Sequence, residues 1–456
     1  MRGMLSRFPW GAAPASLLMV ALLAGAALLA TSAASPPKAD LVFTTFSKEH
    51  KQAYEPIAAA FGREHGITIE LQHADMRALQ SRLQSGFLAG AEVPDLVELA
   101  EPAMGYFTKG PLDDIGFVDL TARIRDEGVD RMIPAGRFAM WTSRGHIFAL
   151  PHDVHPVALV YRRDLVAELG IDPASLTTWD EVMRIGRRIT ADVDGDGVVD
   201  RYLLDLPADG DFGLRTLLLQ RGGGLFDEHG QPAFDDEAAV EVCTWYARAT
   251  HGRDRIAFPA GWGQPLAKAM HDGVALFYIA PDWRTRQFEL DVPDLSGKLG
   301  LMPLPAWTAG GRRTSTWGGT GISITKSCRH PDLAWQLIRR LYLQSDGMGE
   351  RFASSNILPP FAAAWELPEV RAPRPYWNGV AIGSFYAALA PDVPPNWVTP
   401  YTELANNKLN EAFNAIAVAH ERGETDLAGV ARRELTRCAD YVRRAMARNR
   451  FLEAAP

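Results

Sequence analysis

The stretch from residue 40 to residue 100 alternates between strand-like and helix-like patterns, and this alternation restricts the fold more than any other feature. Apolar residues recur at i, i+3, i+4 and i+7 over 54–61 and at i, i+3, i+7 and i+11 over 76–87, as on one face of a helix. Strands that alternate with single helices predict a parallel sheet with helices on its faces. Such sheets bind ligands beyond the carboxyl ends of their strands. The strand-like segments are 41–43, 67–71 and 94–99.

The rest of the chain has the same class of pattern without a sequence repeat. Helical spacing marks 179–189, 236–250 and 330–343, a strand is expected at 274–279, and the last 50 residues are almost wholly helical in pattern. Residues 358–400 are rich in proline, which favours extended and turn conformations. We therefore expect an α/β protein in which this segment wraps over a domain.

The N-terminus predicts export. Arg2 and Arg7 precede residues 17–30, all apolar or glycine, and small residues follow at 31–35. This is the pattern of a signal peptide over 1–34, cleaved after Ala33 or Ala34. The alternative is a membrane anchor, but the apolar run is shorter than the ~20 residues of a span. We expect a periplasmic protein.

Charge and cysteines exclude several classes. The formal net charge is −8 and no basic cluster stands out, which argues against a nucleic-acid partner. Cys243, Cys328 and Cys438 lie far apart and can form at most one pair, so we expect no disulfide framework. No nucleophile elbow, zinc-protease motif or phosphate loop is present. Paired carboxylates of a glycoside hydrolase stay open at this point.

The sharpest local motif is an acidic loop at residues 192–200. Its Asp-x-Asp-x-Asp-Gly start matches a calcium loop, because carboxylate oxygens at alternate positions can wrap the cation. The twelfth position, where a bidentate Glu belongs, holds Leu203. A structural calcium site and an ordinary surface turn therefore both stay open. The candidate ligands are Asp192, Asp194, Asp196 and Asp200.

Tryptophans in loops point to a carbohydrate ligand. The chain has 12 tryptophans, and several lie beside Gly, Pro or Asp. A flat indole covers the apolar face of a sugar ring, while carboxylates and amides bind the hydroxyl rim. For each single residue, burial in the core is the alternative. These loop tryptophans are Trp262, Trp283, Trp317, Trp377 and Trp397.

Several ordered motifs now give a family resemblance. They include Phe-Thr-Thr-Phe at 43–46, Val-Pro-Asp-Leu-Val at 93–97, Thr-Trp-Asp-Glu at 178–181 and Trp-Gly-Gly-Thr-Gly-Ile-Ser-Ile at 317–324. Further matches are 149–151, 157–165, 330–335 and 356–360. In this order the chain resembles the family 1 extracellular solute-binding proteins, which include maltose-binding protein and many oligosaccharide receptors of ABC importers.

The resemblance implies a type II periplasmic-binding-protein-like fold, in which two α/β lobes enclose a ligand cleft. By analogy the chain crosses between the lobes near 150–157, 312–318 and 353–360. Lobe one is then 38–152 plus 317–354, and lobe two is 153–316 plus 355–456.

The resemblance also implies the ligand-binding positions. At His155 the chain departs from sugar-binding relatives with a carboxylate, which changes the expected hydrogen bonds. The positions carried over are Ser47, Lys48, Glu101, His155, Asp211, Phe212, Asp282, Trp283, Trp317 and Gly318, with Trp262 and Trp377 as further candidates.

The function implied is capture of a mono- or oligosaccharide and its delivery to an inner-membrane ABC permease with its ATPase. We expect a monomer that is not an enzyme and needs no cofactor apart from the calcium left open above. The alternatives are a receptor of the same fold for a polyol, glycerol phosphate or amino acid, a chemosensory receptor without transport, and a secreted glycoside hydrolase.

Overall fold

The computed structural model describes residues 17–24, 39–345 and 347–451. The described residues divide into two units, one with residues 17–24 and 39–40 and the other with residues 41–345 and 347–451. Residues 17–24 of the first unit are helical. The predicted cleavage site after Ala33 or Ala34 lies outside the described residues. Across the described ranges, no helix combines the length and apolar character that a membrane span requires.

We number the elements of the second unit in chain order. The strands are β1 (Leu41–Thr45), β2 (Ile69–His73), β3 (Leu96–Ala100), β4 (Thr142–Ser143), β5 (His146–Ile147), β6 (Leu150–Pro151), β7 (Val157–Arg162), β8 (Tyr202–Asp205), β9 (Ala257–Phe258), β10 (Ala275–Pro281), β11 (Leu299–Pro303) and β12 (Thr320–Ile324). The helices are α1 (Lys48–His65), α2 (Met76–Ala89), α3 (Met104–Phe107), α4 (Thr121–Asp126), α5 (Arg163–Glu168), α6 (Trp179–Ile189), α7 (Asp211–Arg221), α8 (Glu237–Thr250), α9 (Gln264–Asp272), α10 (Asp282–Asp291), α11 (Pro331–Tyr342), α12 (Met348–Ser355), α13 (Pro368–Arg371), α14 (Ile382–Leu389), α15 (Thr402–Glu421) and α16 (Leu427–Met446). Short 3-10 helices are Leu112–Asp114, Val129–Arg131, Ala135–Trp141, Pro173–Ser175, Pro293–Leu295, Ala362–Glu366, Pro375–Trp377 and Ala390–Asp392.

The first sheet has the strand order β2-β1-β3-β12-β6. β1 pairs in parallel with β2 and β3, as the alternating pattern predicts. β12 and β6 come from later chain segments and pair antiparallel, so the sheet is mixed. Buried residues of β1 and β3 pack on α1 and α11 around Tyr54, Phe61 and Trp335. We call the elements on this sheet lobe one.

The second sheet has the order β11-β7-β10-β8-β9. β10 lies between antiparallel β7 and parallel β8, and every residue of β10 is buried. Such continuous burial is typical of a strand covered on both faces. We call the elements on this sheet lobe two. The residue boundaries predicted for the lobes from family resemblance stay a prediction.

Local signals explain where individual helices begin. Thr178 caps α6, accepting a hydrogen bond from the Glu181 amide, while the Glu181 carboxylate binds the Thr178 amide in return. Asp236 caps α8 through the Ala239 amide at 2.8 Å, as the sequence predicts. These caps satisfy backbone donors that the helix leaves free.

The three cysteines are buried and unpaired in the structure, and two of them contribute to the helical core of lobe two. Cys243 lies on α8 and Cys438 on α16, both in one hydrophobic cluster, where they pack as small apolar side chains. Burial raises the pKa of the Cys243 thiol to about 12, so this group stays a neutral thiol at physiological pH.

The chain passes between the two lobes at three places that lie close together. β6 of lobe one leads to β7 of lobe two, and β11 of lobe two leads back to β12 of lobe one. A third passage follows α12, where the amide of Leu358 donates to the Asp282 carboxylate of α10 at 2.7 Å. The first and second passages pair at Pro156 and Thr316, and Asp282 contacts both His155 of the first and Leu358 of the third, so the passages lie side by side.

Candidate functional site

A cleft of about 360 Å³ lies between the lobes. Its walls come from the carboxyl ends of strands: Glu101 follows β3, and Trp283 follows β10. This is the edge where α/β sheets bind ligands. The cleft is lined by Glu101, Pro102, Phe212, Arg215, Thr216, Leu219, Trp262, Trp283, Thr316, Trp317, Gly318 and Asn396.

Four aromatic rings form one wall of the cleft. Phe212 and Trp317 stack with centroids 3.9 Å apart and planes 8° from parallel. Trp262 and Trp283 are also nearly parallel, with centroids 6.3 Å apart. Trp317 stands edge-on to both, at 5.5 Å from Trp262 and 5.4 Å from Trp283. Mutual edge and stacking contacts fix these rings, so they present a preformed apolar surface.

A buried guanidinium lies against the aromatic wall. The Cζ atom of Arg284 is 4.8 Å from the ring centroid of Trp262 and 5.4 Å from that of Trp317. Arg284 donates to the carbonyl of Ile279 at 2.6 Å and to the Asp205 carboxylate at 3.4 Å. Because a cation already contacts these rings, the wall is poorly suited to a second, cationic guest.

An ion pair joins the two lobes across the cleft. Arg215 of α7 donates to Glu101 of lobe one at 2.8 Å. These are the charged side chains in the described lining, and they neutralise each other. Because the cleft is small and its lining is neutral overall, it favours an uncharged, polar ligand that forms hydrogen bonds with Glu101 and Arg215.

Beneath the cleft, buried charges connect the hinge segments. His155 donates to Asp282 through Nδ1 at 2.7 Å and to Asp153 through Nε2 at 3.0 Å. Arg137 donates to Asp153 at 2.7 Å and to Thr316 at 2.7 Å. Burial alone lowers the pKa of His155, but the two carboxylates outweigh it and raise that pKa to about 9. His155 is therefore a cation between two anions.

The structure brings together a subset of the residues carried over from the family. Glu101, Phe212, Trp262, Trp283, Trp317 and Gly318 line the cleft. Gly318 has φ +81°, and an added Cβ would lie 3.8 Å from both His155 and the Trp283 indole nitrogen. His155 and Asp282 lie below the floor, where the Asp282 carboxylate also accepts the Trp283 amide at 2.8 Å.

Other carried-over residues lie apart from this lining. Ser47 caps α1 by accepting from the His50 amide at 3.1 Å, and Lys48 is exposed beside it. Trp377 is fully buried in the core of lobe two, where its indole donates to Glu289 at 2.8 Å. Asp211 begins α7, and its side chain lies outside the described part of the chain. Their binding roles stay predictions.

Some lining residues were missed from the sequence, although α7 carried a signal for them. Phe212, Arg215, Thr216 and Leu219 fall at i, i+3, i+4 and i+7, one face of a helix that points at the cleft. Of these four residues, the sequence predicted only Phe212. The helical spacing is present, but the face mixes polar and apolar residues, so it does not show the hydrophobic stripe by which a helix face is recognised. Pro102, Thr316 and Asn396 had no local signal at all.

A second buried cluster surrounds Glu98 of β3. Its carboxylate with His50 and His152 brings three ligand-type atoms within 4.8 Å. Burial raises the pKa of Glu98, but His50, His152 and the Thr45 hydroxyl outweigh it and hold the pKa well below its usual range. Four hydrogen bonds from neighbouring side chains already satisfy this carboxylate without a metal ion. The donors are Thr45, His50, Tyr54 and Tyr342.

The acidic loop brings Asp192, Asp194 and Asp200 within 4.8 Å of one another. Asp192 accepts the amides of Gly195 and Gly197, each at 2.7 Å. These bonds suit a turn as well as a calcium loop, so the structural calcium stays a prediction, with Asp196 as its remaining candidate ligand.

Two lobes, adjacent crossing segments and a cleft at the strand ends define a solute-binding protein of the two-lobed type. The family model for bacterial extracellular solute-binding proteins matches residues 47–347. The chain therefore belongs to the bacterial extracellular solute-binding protein family. This family is one of binding proteins rather than of enzymes.

Curated relatives agree with this family, and a solved structure agrees with the fold. An arabinooligosaccharide-binding protein of Halalkalibacterium halodurans is 25% identical over 336 residues, 72% of this chain and 73% of the relative. An arabinooligosaccharide-binding protein of Bacillus subtilis is 22% identical over 411 residues, 88% of this chain and 92% of the relative. The sugar-binding protein MalE of Xanthomonas citri superposes with a TM-score of 0.71 at 21% identity, covering 89% of this chain and 98% of that one. The predicted two-lobed fold is confirmed.

Proposed function

We propose that this chain is an exported receptor that captures a neutral oligosaccharide in the interlobe cleft and delivers it to an inner-membrane ABC permease with its ATPase. The observation that carries this proposal is the wall of four aromatic rings facing a neutral acid–base pair. Aromatic faces cover the C–H surface of a sugar ring, and Glu101 with Arg215 offers acceptors and donors to its hydroxyls.

The charge arrangement supports a sugar over the anionic alternatives. Arg215 is paired with Glu101, and Arg284 is buried against Asp205, so neither guanidinium is free for a phosphate or carboxylate. One of the helices that begin beside the cleft, α10, has Asp282 as its first residue, which occupies the position an anion prefers. The two curated relatives named as arabinooligosaccharide-binding proteins supply the sugar class to be tried first.

The same geometry argues for binding without hydrolysis. Glycoside hydrolases place two carboxyl groups on either side of the scissile bond. Among the described side chains that line the cleft, Glu101 is the one that carries a carboxyl group, and its partner is a guanidinium. We propose that the sugar is held by closure of the lobes about the hinge and released intact, as the monomer docks on the permease.

The test is a calorimetric binding panel of arabinotriose, maltotriose, lactose, glycerol 3-phosphate and glycine. We expect a neutral oligosaccharide to bind and the last two ligands to be silent. Trp262→Ala should weaken binding at least tenfold, because this indole is 44% exposed at the cleft and its loss leaves the core intact. Tyr441→Ala is the matched control: Tyr441 is 49% exposed on α16, away from the cleft. Binding of glycerol 3-phosphate or glycine alone contradicts the proposal.

A further inference from the structure

Residues 393–400, which we call the proline strap, run from lobe two onto lobe one and back. Val393 packs in a core cluster of lobe two. Val398, only five residues later, is 6% exposed and packs in the core of lobe one with Val97 and Phe117. Tyr401 then packs against the helical core of lobe two. The strap is therefore a further connection between the lobes, apart from the hinge passages.

Two glycines of lobe one let the strap lie directly against the backbone. A Cβ added at Gly105 would lie 2.4 Å from the carbonyl oxygen of Thr399. A Cβ added at Gly136 would lie 3.1 Å from the carbonyl oxygen of Val393 and 3.3 Å from the nitrogen of Pro395. Contacts this close leave no room for a ligand chain to pass between the strap and lobe one.

Neighbouring strap residues face two different cavities. Asn396 lines the cleft and is only 5% exposed. Trp397 and the residues up to Pro400 line a separate cavity of about 590 Å³, whose lining shares no residue with that of the cleft. Pro102 lines the cleft beside Asn396 and also contributes, with Thr399, to a third cavity outside it. The strap and Pro102 thus form a wall between the cleft and the space beyond.

The cleft is open to solvent at Trp262. Trp262 is 44% exposed, the largest exposure of any tryptophan among the described residues. The cleft volume of about 360 Å³ is near the lower end of the ~300–1,000 Å³ range of small-molecule sites. The space is therefore small, bounded by the buried Asn396 of the strap and open to solvent at Trp262.

We propose that the proline strap makes the cleft blind at one end, so that the protein binds a terminus of an oligosaccharide and the remaining sugar units leave past Trp262. Asn396 is then a specificity-determining residue that contacts the terminal unit. This inference rests on the proposed function, because it assigns the direction and reach of the same ligand.

The experiment uses arabinotriose and maltotriose, each in three forms. One form is unmodified, one is reduced to the alditol at the reducing end, and one carries a benzyl group at the non-reducing end. By calorimetry, we expect one terminal modification to raise Kd at least tenfold and the other to change it less than about twofold. Equal tolerance of both modifications, or equal exclusion of both, overturns the blind-end assignment.

A variant links this asymmetry to the strap. Asn396→Ala removes the side chain that faces the cleft and should bring the Kd of the excluded form back toward that of the parent sugar. Asn407→Ala, at an exposed position on α15 outside the cleft, should leave the ratio unchanged. An unchanged ratio in Asn396→Ala overturns the role of the strap. If neither unmodified trisaccharide binds, lactose is tested in the same three forms; if lactose also fails to bind, the proposed function fails and this inference fails with it.

Discussion

His155 is the residue on which the hinge charges converge. It has φ +51° and is 4% exposed, between the carboxylates of Asp153 and Asp282. Arg137 balances Asp153, so the four groups sum to no net charge while His155 is protonated. Losing that proton leaves two buried carboxylates with one guanidinium, which is costly.

The first prediction concerns the pH dependence of stability. The folded-state pKa of His155 is about 9, above its ordinary value of about 6.5, so its stabilisation is complete below pH ~6.5 and is lost as pH rises through 9. The free energy of unfolding by urea should fall over that window, by an amount on the order of 3 kcal/mol. His155→Gln should flatten the fall, whereas His229→Gln, at an exposed site, should not. Parallel pH profiles of the wild type and His155→Gln contradict the assignment.

The second prediction concerns the ion pair across the cleft. The Glu101 and Arg215 side chains are only 8% and 20% exposed, so their attraction is weakly screened. A double-mutant cycle with alanine at both positions should give a coupling energy of about 1–3 kcal/mol in unfolding. The same cycle at the exposed pair Glu237 and Arg432 should give less than ~0.5 kcal/mol. Equal couplings would show that the interlobe pair is solvated and does not hold the lobes together.

At the scale of elements, the helices were predictable because their signals are local. Thr178 with Glu181 and the Asp236 cap mark helix starts within four residues of chain. β1, β2 and β3 were predictable as a parallel unit for the same reason. The antiparallel additions β6 and β12 were not, since pairing of β12 with β3 joins segments more than 200 residues apart.

The cleft was predictable only in part. The loop tryptophans carried a chemical signal, and Trp262, Trp283 and Trp317 do meet at the cleft. The His155–Asp282 contact joins residues 127 positions apart, so no local sequence pattern predicts it. The proline content of the strap is evident in the sequence. Its close contact with Gly105 depends on tertiary packing that the sequence alone does not reveal.

The third prediction concerns the close packing of the proline strap against Gly105 of lobe one. Gly105→Ala places a Cβ against the Thr399 carbonyl, so the strap or α3 must shift, and overpacking of this kind costs about 1–3 kcal/mol. Gly110→Ala is the matched control, since its added Cβ meets no atom within 4 Å. Denaturant unfolding of both variants measures the difference. Equal stability of the two would mean that the strap is not held against lobe one.

At the scale of the whole molecule, helix α10 contributes both to the aromatic wall of the cleft and to the hinge. Asp282 begins α10 and binds His155 of the first passage and the Leu358 amide of the third. The next residue, Trp283, forms part of the wall and donates to the Trp317 carbonyl of the second passage at 3.4 Å. If the proposed ligand packs on Trp283, its contact reaches the segments about which the lobes turn, and this would couple binding to closure.

A crystal structure of the protein with the tightest-binding oligosaccharide of the panel tests the central claim most directly. The account predicts a sugar ring over the indole of Trp262 or Trp283, with hydroxyl groups hydrogen-bonded to Glu101 or Arg215. A sugar bound outside this cleft, or with its rings remote from all four aromatic side chains, would contradict it.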